Sequence, residues 1–235
     1  MRILKTILDA FFPPDFTCDV CGAEIFNGDN LCEKCRDTIT VNNDYTCPVC
    51  GRKSQASMLC LECKAQPPEF AKAVSPFVYS GGIQALILKY KKGNAYLKDY
   101  FARAMYAKCG GFGDAEGVCF VPMTRAAEHN RGYNQSYLLA RELAKMLKLP
   151  LLKNAVKKIK KSSPQKSLTR KERTDNLKSC FKAERSEVQG KTLILVDDVL
   201  TTGATADAVC GELKKRGAKK IYFVTAASVE YFGEI

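Results

Sequence analysis

The stretch that most narrows what this chain can become is Thr192–Thr205, TLILVDDVLTTGAT. It opens as an unbroken apolar run, Thr192–Val196, of the kind that forms a central parallel strand covered on both faces. Asp197 and Asp198 stand at its carboxyl end, and Thr201, Thr202, Gly203, Ala204 and Thr205 follow as a small-residue turn that opens a helix. Ligands of open α/β sheets sit beyond the carboxyl ends of the strands. A helix N-terminus offers free N–H groups and the positive end of a dipole, which suit a phosphate. Gly203 lets backbone approach that phosphate closely, and the threonine hydroxyls add donors.

Two adjacent carboxylates just before such a turn can accept hydrogen bonds from vicinal hydroxyls and can orient hydrated Mg²⁺. A phosphate on one side and a diol on the other describe a phosphorylated ribose. The chain has no G-x-x-x-x-G-K-[ST] and no strand-linked G-x-G-x-x-G, which argues against nucleoside triphosphate and dinucleotide sites. The whole run resembles the signature by which type I phosphoribosyltransferases bind 5-phosphoribosyl-1-pyrophosphate (PRPP).

Around this run the pattern alternates. Strands are expected near Ala73–Tyr79, Val118–Val121, Thr192–Val196 and Lys220–Ala226. Helices are expected near Ile83–Tyr90, Leu97–Lys108, Asn134–Leu147 and Thr205–Arg216, with Gly217 capping the last. Alternation of this kind predicts an α/β fold, a mostly parallel sheet with helices on both faces, over residues 69–235.

Residues 15–68 read differently. "CDVCG" at Cys18–Gly22 recurs as "CPVCG" at Cys47–Gly51, offset by 29 residues, and "LCEKC" at Leu31–Cys35 recurs as "LCLEC" at Leu59–Cys63, offset by 28. This is a tandem duplication of a small unit. Each Cys-x2-Cys turn points two thiolates at one place, and two turns make a four-sulfur site that suits zinc. The eight ligands are Cys18, Cys21, Cys32, Cys35, Cys47, Cys50, Cys60 and Cys63. One zinc per repeat is the favoured pairing; an interleaved pairing is the rival. Closed four-cysteine sites are structural, because they keep no position open for water. Twelve cysteines without a secretory signal point to the reducing cytoplasm.

Met1–Phe12 has apolar residues at helical spacing and ends at Pro13-Pro14, so residues 1–14 are expected to form an amphipathic helix. No apolar run is long enough for a transmembrane segment.

The net charge of +12 is uneven: residues 1–70 carry −3 and the remainder +15. An anionic partner is therefore expected on the C-terminal domain. In the segment VPMTRAAEHNRGYNQ, read as a loop on the same sheet edge as the aspartates, Arg125 and Arg131 could meet a pyrophosphate, with Asn134 and Gln135 at the start of the next helix. His129 there reads as a solvated surface residue. Lys153–Lys191 carries +9 and includes a polar stretch long enough for a lid, with Lys166 and Arg173 as candidate charges over the pyrophosphate. Tyr90 among Lys89, Lys91 and Lys92, and Tyr133 beside Arg131, are candidates for stacking on nucleic-acid bases.

Taken together, the double Cys-x2-Cys ribbon, "LKYKKG" at Leu88–Gly93, "RGYNQ" at Arg131–Gln135, "Q-x2-L-x4-R-x2-N" at Gln165–Asn176 and "VDDVLTTGAT" resemble the competence protein F (ComF) family. The resemblance spans nearly the whole chain; Tyr133 stands where the family more often has Phe. It implies a type I phosphoribosyltransferase fold that binds Mg–PRPP. It also implies a role in natural transformation, handling incoming single-stranded DNA in the cytoplasm beside the DNA-uptake machinery. The alternative is an active phosphoribosyltransferase of nucleotide metabolism or salvage with an unknown acceptor.

Overall fold

The apolar run at Thr192 forms the centre of a five-stranded parallel sheet in the computed structural model, which describes residues 17–25, 30–43, 45–160, 177 and 179–230. In chain order its strands are β1 (Lys72–Val74), β2 (Phe77–Val78), β3 (Gly117–Phe120), β6 (Thr192–Leu200) and β7 (Lys220–Ser228). They lie in the order β1–β7–β6–β3, with β2 continuing along β7. The expected single strand over Ala73–Tyr79 is thus two short strands; Ser75 and Pro76 separate them. A separate antiparallel pair joins β4 (Val156–Lys158) to β5 (Phe181–Ala183).

Successive β6 side chains point to opposite faces, and each face has its own apolar cover. Ile194 and Val196 enter one buried cluster with Ile83, Leu86, Ile87, Tyr90, Phe101, Met105, Leu139 and Leu143. Those residues come from α3 (Gly81–Lys91), α4 (Lys98–Ala107) and α6 (Gln135–Leu147). Leu193 and Leu195 enter the other with Val188 of α7 (Arg185–Val188) and with Val209, Cys210 and Leu213 of α8 (Ala204–Lys215). Truncating any of these fully buried leucines should cost about 2–5 kcal/mol.

Helix boundaries follow local chemistry. The Asn134 side chain accepts a hydrogen bond from Tyr137 N and caps α6. Between β3 and α6 the segment read as a loop contains α5 (Arg125–Arg131), capped by Thr124 and stopped by Gly132 in the left-handed region at φ 86°.

The duplicated units fold alike. The bridge Thr17–Glu24 recurs as Thr46–Lys53, and the helix α1 (Glu33–Arg36) recurs as α2 (Leu61–Ala65). Their burial differs. Cys47, Cys50, Cys60 and Cys63 are all buried and share a cluster with Leu193 and Leu195 of the sheet, whereas Cys21 is exposed. The expected helix over residues 1–14 lies outside the described residues.

A cleft at the carboxyl edge of the sheet and two four-sulfur clusters

β6 carries Asp197 and Asp198 to the carboxyl edge of the sheet. A cleft of about 430 Å³ opens there, walled by Val121, Pro122, Met123, Thr124, Ala127, Arg131, Gln135, Ser136 and Lys158 together with both aspartates. Three elements converge: the end of β6, the loop after β3 with α5, and the start of α6. Lys158 arrives from β4 and lies over the Phe181 ring at 5.4 Å.

The two carboxylates have different surroundings. Asp197 Oδ1 accepts from Ser136 Oγ at 2.7 Å and from Asp198 N at 2.9 Å. Asp198 Oδ2 pairs with Lys91 Nζ at 3.0 Å. Burial, and then the charge of Asp198, push the Asp197 carboxyl up to about 7, against the opposing pull of Ser136. Beyond them, Gly203 adopts φ 81° and starts α8, and Thr202 Oγ1 accepts from Ala204 N at 3.4 Å. That left-handed turn is what a side chain at Gly203 would strain.

Of the other candidates, Arg131 and Gln135 reach the cleft. Arg131 Nη1 donates to Gln135 Oε1 at 2.9 Å, which fixes the amide orientation. Gln135 Nε2 is then a buried donor with no hydrogen-bond partner among the described residues. A buried orphan donor on a cleft wall suits an anionic ligand. Asn134 is buried and occupied structurally: besides its cap, Nδ2 donates to Val121 O at 3.2 Å, holding the β3 loop against α6. Arg125 is exposed on the first turn of α5 and is not among the cleft walls. Lys166 and Arg173 lie outside the described residues.

Tyr90 corrects one expectation. It is fully buried, its hydroxyl donates to Gln135 O at 2.9 Å, and its ring packs against Phe101. It offers no face to a base. Tyr133 is half-buried, packs on Tyr90 at 5.9 Å and donates its hydroxyl to Tyr90 O. Lys89 is half-buried and Lys92 exposed beside them. Ser136 and Lys158 also line the cleft, with no sequence motif of their own to mark them. Ser136 follows Gln135 directly and could have been found by extending the helix-start argument one residue.

In the ribbons, the ligand sulfurs of Cys18, Cys21, Cys32 and Cys35 lie within 4.8 Å of one another, as do those of Cys47, Cys50, Cys60 and Cys63. The pairing is therefore one site per repeat. The chemistry of each set suits a cation. In the second set, hydrogen bonds from Cys50 and Cys63 push the Cys47 thiol down, while Cys47 in turn pushes Cys50 up to about 12 and also raises Cys63. Such a set cannot shed its protons together unless a metal compensates the charge. Four sulfurs in this arrangement fit tetrahedral zinc and leave no position for a reacting water.

A parallel α/β sheet with this strand-end aspartate pair, behind two four-cysteine sites, defines a phosphoribosyltransferase-type domain carried with a zinc-ribbon module. Comparison with known families agrees: residues 7–64 match the double zinc ribbon domain and residues 134–230 the phosphoribosyl transferase domain. The chain belongs to the competence protein F family. It is 31% identical over 221 residues to "Competence protein F" of Haemophilus influenzae, covering 88% of this chain and 94% of that protein. It is 29% identical over 199 residues to "DNA utilization protein YhgH" of Escherichia coli, covering 81% of this chain and 87% of that one. Among solved structures, a purine phosphoribosyltransferase from Pyrococcus horikoshii aligns at 20% identity and a TM-score of 0.33, over 60% of this chain and 93% of that one.

Proposed function

We propose that the cleft binds PRPP with magnesium and that the protein serves the handling of single-stranded DNA in competence. The observation that carries the first half is the placement of Asp197 and Asp198 at a strand end, between a glycine-started helix and a cleft wall bearing Arg131, Gln135 and Lys158. The aspartates would take the ribose diol, and the Thr201–Thr205 turn with the N-terminus of α8 would take the 5-phosphate. Arg131, Lys158 and the Gln135 Nε2 donor would face the pyrophosphate. Magnesium, held through the pyrophosphate and the aspartates, would offset negative charge there.

If transfer occurs, an acceptor's lone pair forms the new bond to C1 as the C1–O bond breaks, and pyrophosphate leaves with that electron pair. The chain's own part is to orient C1 and stabilise the leaving group. Nuclear magnetic resonance tests the assignment. On titration with Mg–PRPP, amide shifts should concentrate at residues 121–124, 135–136 and 197–206. Shifts elsewhere, or none, would contradict it.

Support for the DNA role comes from the names of the relatives and from the +15 carried by residues 71–235. Binding to single-stranded DNA should then weaken steeply with salt. Salt-independent binding would count against it.

A further inference from the structure

The duplicated ribbon is not used the same way twice. Cys18 N donates to Ala23 O at 2.7 Å, and at the matching place in the second unit Cys47 N donates to Arg52 O at 3.0 Å. Arg52 thus occupies the position of Ala23, and by the 28-residue offset Glu62 occupies that of Lys34. These two substituted positions meet: Arg52 Nη1 donates to Glu62 Oε2 at 2.6 Å. Arg52 Nη2 donates to the backbone carbonyl of Thr201, the first residue of the turn after β6. Arg52 is only 3% exposed.

We propose that Arg52 is a positioning residue that holds the Thr201–Thr205 turn in its anion-binding shape, which makes the second ribbon part of the phosphate site. This rests on the phosphoribose reading of the cleft. The first ribbon has alanine at the matching position, so the arginine is not a requirement of the ribbon fold. Burying a guanidinium is costly unless its donors are satisfied; here Nη1 is held in the ribbon and Nη2 in the turn, while Nε finds no hydrogen-bond partner among the described residues. A planar fork can hold two acceptors in fixed relation; a lysine cannot.

The turn has reason to need the support. The ladder between β6 and β7 ends at Leu200 and Ser228, with Val229 N donating to Leu200 O at 3.0 Å. Thr201 is the next residue, and Gly203, two further on, is in the left-handed region. The seat that brings Arg52 to it is narrow. The neighbouring Gly51, at φ 66°, lies so close to β1 that an added Cβ would meet Ala73 O at 2.3 Å. At Gly22, the same position of the first ribbon, an added Cβ would meet open space.

The test uses the zinc-loaded full chain with Arg52→Ala and Arg52→Lys. Hydrogen exchange without ligand comes first, because it does not depend on what the cleft binds. In Arg52→Ala the amides of residues 202–206 should exchange about tenfold faster while those of residues 47–63 keep their rates, as expected for losing hydrogen bonds to a charged group. Unchanged exchange at the turn, or acceleration spread through the ribbon, overturns the proposal. If Arg52→Ala does not retain two zinc ions, Glu62→Gln replaces it, with the same pattern at smaller amplitude expected and the same outcomes decisive.

Calorimetry with three ligands then separates positioning from general weakening. Ribose 5-phosphate and Mg–PRPP should each lose about tenfold in affinity, with Arg52→Lys intermediate, whereas Mg–pyrophosphate, which lacks the 5-phosphate, should be unaffected. Equal losses for all three overturn the proposal. If the unsubstituted protein binds none of them, it is the phosphoribose reading that fails, and the exchange comparison still decides the brace.

Discussion

Lys91 Nζ lies 3.0 Å from Asp198 Oδ2, so the last residue of α3 is tied to the strand end that defines the cleft. Both side chains are partly buried, at 28% and 14% exposure, and Asp197 sits directly beside them. Removing the cation leaves two adjacent carboxylates without their compensating charge. Lys91→Met should therefore lower stability by roughly 1–2 kcal/mol at neutral pH. Adding Asp198→Asn should recover part of that loss, which a double-mutant cycle of chemical denaturation measures. Additive effects would mean that the pair contributes nothing.

Asp197 gives the fold a pH dependence of definite sign. Its carboxyl titrates near 7 in the folded protein because burial and Asp198 oppose ionisation. The unfolded chain loses that proton near pH 4, so between these values the folded form holds more protons. Stability should thus fall as pH rises from about 4 to about 7, then level off. The stability lost through this group is roughly 2 kcal/mol in total, smaller than the full difference because water at the cleft screens it. Asp197→Asn should remove it, and denaturation midpoints across that range check the prediction.

The two ribbons should release zinc unequally. The first exposes Cys21 and half-exposes Cys32 and Cys35, whereas all four sulfurs of the second are buried against the sheet. A chromophoric chelator should remove one zinc quickly and the other at least about tenfold more slowly, since slow release needs a larger opening. Matching substitutions sharpen the contrast. Gly22→Ala should cost about 1–2 kcal/mol of backbone strain alone, while Gly51→Ala adds a clash with Ala73 O and should lower the melting temperature markedly more.

Much of this architecture is legible in the residues, for reasons that also explain what is not. The run Thr192–Val196 is apolar without interruption, so its central place in the sheet follows directly, and the Cys-x2-Cys spacing carries the two metal sites. Strand and helix extents shift by a few residues, as with β6 continuing through Asp197 and Asp198 to Leu200. Helix α5 escaped because none of its residues is buried, which leaves no apolar period to detect; Thr124 and Gly132 were the only cues. The lysine neighbours of Tyr90 mislead, because Ile83, Leu86, Ile87 and Tyr90 lie at one-face helical spacing and so belong to the core. Arg52 could not be recognised, because its partners are Glu62 and the distant Thr201 and only the fold brings them together.

The most direct test of the central claim is calorimetric titration of the zinc-loaded protein with Mg–PRPP, beside an Asp197→Asn/Asp198→Asn variant of unchanged zinc content and fold. The account predicts saturable binding by the unsubstituted protein and loss of at least about a hundredfold in the variant, as expected when two charged hydrogen-bonding partners are removed together. Equal binding by both proteins, or none by the unsubstituted one, would contradict it.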